Sequence, residues 1–166
     1  NKFPPNYLWR DFLIDLMTEY FKSATVFTLS FFYFIIGIKH FTDVNFFISI
    51  MPPYIPYHKF FIYLSGFFEI LFGLLLLFKK TRKFAGIGLI YLLVFVFPAN
   101  VHLYLSDTAQ KALSITQNDA LIRLPFQLPL MIIAFWHAEE KSTKSFNIFC
   151  SLVFIPTVFY FLSLGF

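Results

Sequence analysis

Glu69 is the residue in this chain whose setting most demands a chemical explanation. It lies in 60–78, FFIYLSGFFEILFGLLLLF, a stretch with no other formal charge. A helix of about nineteen residues, rising ~1.5 Å per residue, covers the ~30 Å hydrocarbon core of a bilayer. Glu69 would stand near its middle, where an ionised side chain costs roughly 2.5–3.5 kcal/mol or more unless it is neutralised or paired. Such a group either does chemistry or is satisfied inside a helix bundle. Gly66, Glu69 and Gly73 fall at i, i+3 and i+7 and share one helical face. Glycines on that face admit a neighbouring helix, so the carboxyl is expected to meet protein rather than lipid.

Other polar groups fall at similar depth in the remaining apolar segments. His40 ends the first, Asn100 and His102 follow Pro98 near the end of the third, and Arg123 and Gln127 open the fourth at i, i+4. Glu69, His40, Asn100, His102, Arg123 and Gln127 are therefore the candidate lining of one polar cavity. Glu69 is expected to reach Arg123, Asn100 or His102, directly or through water. Pro98 frees the Val94 carbonyl for a side chain or water. Each residue also has a plainer reading. Arg123 snorkels to the interface, His40 and His102 sit at helix ends, Gln127 makes a helix–helix hydrogen bond, and Tyr54, Tyr57 and Tyr63 are interfacial aromatics.

His40 and His102 raise the question of haem. Bis-His ligation needs facing helices and a haem-sized gap, which sequence spacing does not supply, so haem is disfavoured. No metal site is assigned. The one cysteine, Cys150, excludes an internal disulfide, a CxxC pair and an all-cysteine metal site. It reads as an inert small apolar residue. No Walker loop, HExxH, GxSxG or dinucleotide fingerprint is present.

The elements that must position these groups are membrane helices. Of 166 residues 58% are hydrophobic and only 13% charged, against ~25% charged in a soluble domain. A net charge of +4 is too small and scattered for nucleic acid. Five apolar segments, 23–41, 60–78, 84–105, 121–136 and 146–166, are candidate spans. The fourth is short and interrupted by Pro125 and Pro129. The fifth, poor in small and polar residues, is expected to be peripheral and lipid-facing. Residues 8–20 alternate in helical rhythm and predict an amphipathic helix lying in the interface or packed on a partner. No signal peptide is expected, because the first twenty residues are charged and lack a continuous apolar core.

Lys79, Lys80, Arg82 and Lys83 crowd the turn expected between the second and third spans and mark a cytoplasmic loop. With that loop inside, Lys2, Arg10, Lys22, Lys79, Lys80, Arg82, Lys83, Lys141 and Lys144 fall inside, and Lys39, Lys59, Lys111 and Arg123 fall outside. The asymmetry predicts an inner-membrane, multi-pass protein with its N-terminus in and C-terminus out.

The stretch 37–136 resembles the DoxX-like family of small bacterial membrane proteins. The resemblance rests on Gly37-Ile38-Lys39-His40-Phe41, Met51-Pro52-Pro53-Tyr54-Ile55-Pro56, Tyr63-Leu64-Ser65-Gly66 with Glu69 and Gly73, the basic turn, Phe97-Pro98-Ala99-Asn100, and Arg123-Leu124-Pro125-Phe126-Gln127. It implies an all-α, polytopic four-helix membrane bundle over 23–136. Residues 1–22 would add a lead-in and interfacial helix, and 137–166 a cytoplasmic loop and fifth transmembrane helix. It also implies an accessory subunit of a redox or quinone-linked membrane complex, with a quinone as candidate ligand and other membrane subunits and the lipid bilayer as partners. The paired cysteines of the thiol-redox relatives are missing, which argues against that chemistry and against catalysis by the chain alone. A purely structural or assembly subunit, and a small-molecule or lipid transporter, are the competing readings.

Overall fold

The structure is a computed structural model and describes residues 6–163, which form helices joined by short connections with no strand among them. The helices are α1 (Asn6–Thr42), α2 (Val44–Ile50), α3 (His58–Leu76), α4 (Lys79–Leu105), α5 (Asp107–Ala112), α6 (Gln117–Ala138) and α7 (Lys144–Ser163). Five of them, α1, α3, α4, α6 and α7, are long and apolar enough to cross a membrane, as a multi-pass protein requires. A helix satisfies its own backbone groups, the condition that hydrocarbon imposes on a spanning segment.

The five long helices pack in sequence. α1 runs along α3, α3 along α4, α4 along α6, and α7 contacts both α6 and α1, so the set closes on itself. Lipid tails are as apolar as the side chains, so close packing rather than hydrophobicity holds such helices together. Small residues set the approach. A Cβ added to Gly66 would lie 2.5 Å from the His40 Cβ, and one added to Gly37 would lie 2.8 Å from the Gly66 carbonyl oxygen. The Ser30 hydroxyl donates to the Gly73 carbonyl across the same α1–α3 interface. Gly66→Ala must push backbone from backbone and is expected to cost about 1–3 kcal/mol. A lower thermal unfolding midpoint in detergent would show it; an unchanged midpoint would mean that the two helices are not held at this distance.

Four expectations are corrected here. The separate interfacial helix over 8–20 does not exist as such, because α1 runs unbroken through Lys22 and Ser23 for 37 residues. No proline or glycine interrupts the helix before Gly37, so the rhythm of the first segment continues into the span. Lys22 is buried instead of marking an exit. Its Nζ donates to the Glu139 carbonyl at 2.8 Å and to Ser142 Oγ at 3.3 Å. Lys144 holds Asp11 and Asp15 at 3.3 and 3.5 Å. These contacts fix the first turns of α1 against the α6–α7 connection.

The basic run is the second correction. The break between α3 and α4 is only Leu77 and Phe78, and Lys79–Lys83 already belongs to α4. Arg82 Nε donates to the Leu76 carbonyl and Thr81 Oγ1 to the Leu75 carbonyl, both at 2.8 Å. The last carbonyls of a helix lack internal partners and carry partial negative charge, so a cation and a hydroxyl placed there satisfy both needs.

The third correction concerns the fifth span. α7 is not simply peripheral, because Asn147, Cys150, Phe154 and Thr157 form a buried stripe against α6 and α1. Trp136 Nε1 donates to Asn147 Oδ1 at 2.7 Å and fixes its register. Fourth, α6 is longer than expected and continues through Pro125 and Pro129. It begins with a reciprocal capping box between Thr116 and Asp119. The two connections at the opposite end from the basic run are also not simple loops, since they contain α2 and α5.

Candidate functional site: a cavity at the His40–Glu69 pair

At the α2/α5 end, helices α1, α2, α3 and α4 surround a cavity of about 630 Å³. Its walls are chiefly apolar, with Phe47, Ile50, Phe61, Val94 and Phe95 prominent; its polar side chains are His40, Ser65, Glu69 and Asn100. α3 supplies Ser65 and Glu69 from adjacent turns. α1 brings His40 down the Gly66 face, where no side chain stands between the two helices. α2 lies over the imidazole: the Phe47 ring stacks on His40 with centroids 3.6 Å apart.

Glu69 and His40 are 8% and 6% exposed, and they are partners. His40 Nδ1 is 3.1 Å from Glu69 Oε2 and 2.9 Å from the Ile36 carbonyl oxygen. A carbonyl only accepts, so the bond to Ile36 assigns the proton to Nδ1. That one hydrogen is spent on the nearer acceptor. Glu69 Oε2 is left beside the same imidazole nitrogen, buried and without a well-directed hydrogen bond from any described residue. In a weakly polar interior this combination is costly unless something else reaches the oxygen. Ser65 does not, because its hydroxyl donates to the Ile62 carbonyl at 3.0 Å.

Three of the six expected site residues thus meet at one cavity, namely Glu69, His40 and Asn100. The other three do not line it. Gln127 is buried between α4 and α6, where its amide donates to the Leu93 carbonyl and its Oε1 accepts from Asn100 Nδ2 at 3.2 Å. The carbonyl it serves belongs to Leu93 rather than to Val94, whose bond Pro98 removes. Arg123 faces Asp119 and Tyr160, so the Glu69–Arg123 tie is replaced by Glu69–His40. His102 is half-buried near the end of α4, outside the lining. The physical reason is rotation: α6 turns Gln127 toward α4, while the close α1–α3 crossing at Gly37 and Gly66 delivers His40 to Glu69. Among the described residues no cluster of three or more His, Cys, Asp or Glu stands ready to hold a metal ion.

The sequence reading missed the part played by α2. The run Val44–Ile50, VNFFISI, is apolar enough to signal a packed element within the connection between α1 and α3. Its contribution of Phe47 and Ile50 to the cavity depends on a tertiary fold-back that no local pattern encodes.

Fold and site together describe a helical protein with five helices long and apolar enough to cross a membrane, compatible with a multi-pass membrane protein, and a cavity beside a buried histidine–carboxylate pair. The particular family is shown by residues 29–138, which match the model described as Domain of unknown function (DUF8561); the chain belongs to that family. The matched stretch runs from the middle of α1 to the end of α6 and leaves α7 outside it. No curated protein and no solved structure matches the chain.

Proposed function

We propose that this protein binds a small membrane-soluble amphiphile in the His40–Glu69 cavity and acts as a DoxX-like accessory subunit of a redox or quinone-linked complex in a bacterial cytoplasmic membrane. The observation that carries the binding reading is Glu69 Oε2, buried beside a cavity of about 630 Å³ with no hydrogen bond from the described chain. That volume falls within the roughly 300–1,000 Å³ typical of small-molecule sites, as does the mix of apolar walls and few polar groups. A quinone is the ligand that the sequence resemblance suggests. Gentle purification followed by solvent extraction and mass spectrometry of whatever travels with the protein is the test. A stoichiometric amphiphile that is lost from Glu69→Leu but retained by a Tyr57→Ala control supports the reading. Protein that is folded and carries no such molecule, alone or with its co-purifying subunits, would overturn it.

A structural role has its own observation. The Asn100–Gln127–Leu93 set is a closed hydrogen-bond knot tying α4 to α6. It is separate from Glu69, so the chain can contain both a tie and a site.

The proposed orientation places the basic end inside. Lys80 is exposed there, Tyr57 is 80% exposed at the other end, and Cys150 is sealed in the interior. In a Cys150→Ser background, Tyr57→Cys is expected to react with an impermeant maleimide in intact cells, and Lys80→Cys only after lysis. The reverse pattern would invert the topology.

A further inference from the structure

We propose that the ligand is a single-tailed amphiphile with a hydroxyl head, its head donating to Glu69 and its tail leaving over Val94 into a second groove between α4 and α6. This rests on the reading of the His40–Glu69 cavity as a binding site and adds the chemistry of what it takes.

The head follows from counting donors and acceptors. Glu69 Oε2 has the His40 Nδ1 at 3.1 Å but no well-directed hydrogen bond from the described chain. The Nδ1 proton of His40 is committed to Ile36, which leaves Nε2 of the neutral ring as a second acceptor. The Ser65 hydroxyl hydrogen is committed to Ile62, and Asn100 Nδ2 gives one hydrogen to Gln127. The side chains around the pair are therefore short of donors. A ligand that only accepts, such as an oxidised quinone, would leave the Glu69 oxygen as it is, whereas a hydroxyl, such as that of the reduced quinol, satisfies it. A neutral hydroxyl fits better than an ammonium, because the walls around the pair are apolar and a cation would bring its own desolvation cost into the cavity.

The tail follows from the shape of the surface beside α4. A groove of about 300 Å³ is lined by Val94, Phe97, Leu124, Gln127, Leu128 and Met131. Val94 lines both this groove and the His40–Glu69 cavity. The Asn100–Gln127 bond lies at their boundary, with Asn100 lining one and Gln127 the other. Val94 is 56% exposed and Leu128 62% exposed, so the route runs along a face the helices do not cover. In a spanning protein that face meets lipid, and an apolar chain would pass along it without crossing water. The adjacency of the two spaces at Val94, with Gln127 the only polar side chain of the outer one, matches a molecule polar at one end and linear beyond it.

The test uses defined probes on the full chain in detergent. 4-Dodecylphenol and 4-dodecylanisole differ only by O–H against O–CH3. The phenol is expected to bind about tenfold or more tightly, the size of one lost hydrogen bond to a charged group, and Glu69→Leu should bring that ratio close to one. 4-Ethylphenol should bind more weakly than 4-dodecylphenol. Leu128→Trp, which fills the outer groove far from the pair, should abolish that chain-length gain while leaving 4-ethylphenol binding unchanged. Equal binding of phenol and anisole, or a preference for the anisole, would overturn the hydroxyl head and leave the cavity as a binding site. Tighter binding of dodecylamine than of the phenol would likewise overturn the neutral donor. A chain-length gain that survives Leu128→Trp would overturn the tail route. If none of the probes binds folded wild-type protein, the cavity reading itself fails and the present inference with it.

Discussion

His40→Leu is expected to destabilise the protein by about 3 kcal/mol, and adding Glu69→Leu to it is expected to restore a large part of that loss. Removing the histidine takes away the side chain paired with Glu69 Oε2 and leaves a buried carboxyl among apolar walls. Breaking a buried pair from one side is strongly unfavourable because the remaining group keeps its desolvation cost, whereas removing both can be nearly neutral. Glu69→Leu alone should cost less, since His40 retains its bond to Ile36 and its stack on Phe47. Glu69→Gln should cost least. Unfolding midpoints of the four proteins of the double-mutant cycle in detergent would give the coupling, expected between about 1 and 3 kcal/mol. Losses that add within a few tenths of a kcal/mol would show that the two groups are neighbours without being coupled.

Much of this architecture can be read from composition and spacing, and the reasons are particular. The apolar runs around Glu69 and through 84–105 are long, lightly charged and bounded by basic residues, so their helical, membrane type is strongly determined. The small-residue face Gly66–Glu69–Gly73 correctly says that α3 turns its carboxyl toward protein. What spacing does not say is which helix comes to that face. Gly37 carries that information, because it lets α1 approach Gly66 closely enough for His40 to reach Glu69. A single glycine in an apolar helix gives no sign of its partner.

Charges mislead for a related reason. The crowded Lys79–Lys83 reads as a loop because lysine and arginine are favoured in water. Here they open a helix, with Arg82 capping the helix before it. Lys22 reads as the edge of a span, yet its long stem lets the ammonium reach the Glu139 carbonyl while the residue stays buried. Arg123, placed by depth near Glu69, is turned by the helical phase of α6 toward Asp119 and Tyr160. Depth along a helix is legible from sequence; azimuth is legible only when small residues or a polar stripe mark the face. The stripe Asn147, Cys150, Phe154 and Thr157 of α7 was such a mark, diluted by the phenylalanines around it.

Trp136→Ala is expected to have the other large effect, about 3–5 kcal/mol. The indole is fully buried near the basic end of α6. Its Nε1 donates to Asn147 Oδ1 at 2.7 Å, its face lies 5.7 Å from Lys22 Nζ, and its ring stacks on His137 with centroids 5.0 Å apart. One side chain therefore touches the groups that hold α1, α6 and α7 together at that end. Truncation leaves a cavity that the surrounding helices fill only partly, and it strands the buried Asn147 amide oxygen. Trp136→Phe separates the two contributions, since it keeps most of the ring packing and loses only the donor. Its expected cost is about 1–3 kcal/mol. Asn147→Leu should resemble Trp136→Phe, and the double variant should lose less than the sum, because each partner's removal strands the other. The comparison also tests whether α7 is integral to the closed set. If Trp136→Ala leaves the unfolding midpoint of the full chain unchanged, α7 is an appendage whose attachment contributes nothing to the stability of the other four long helices.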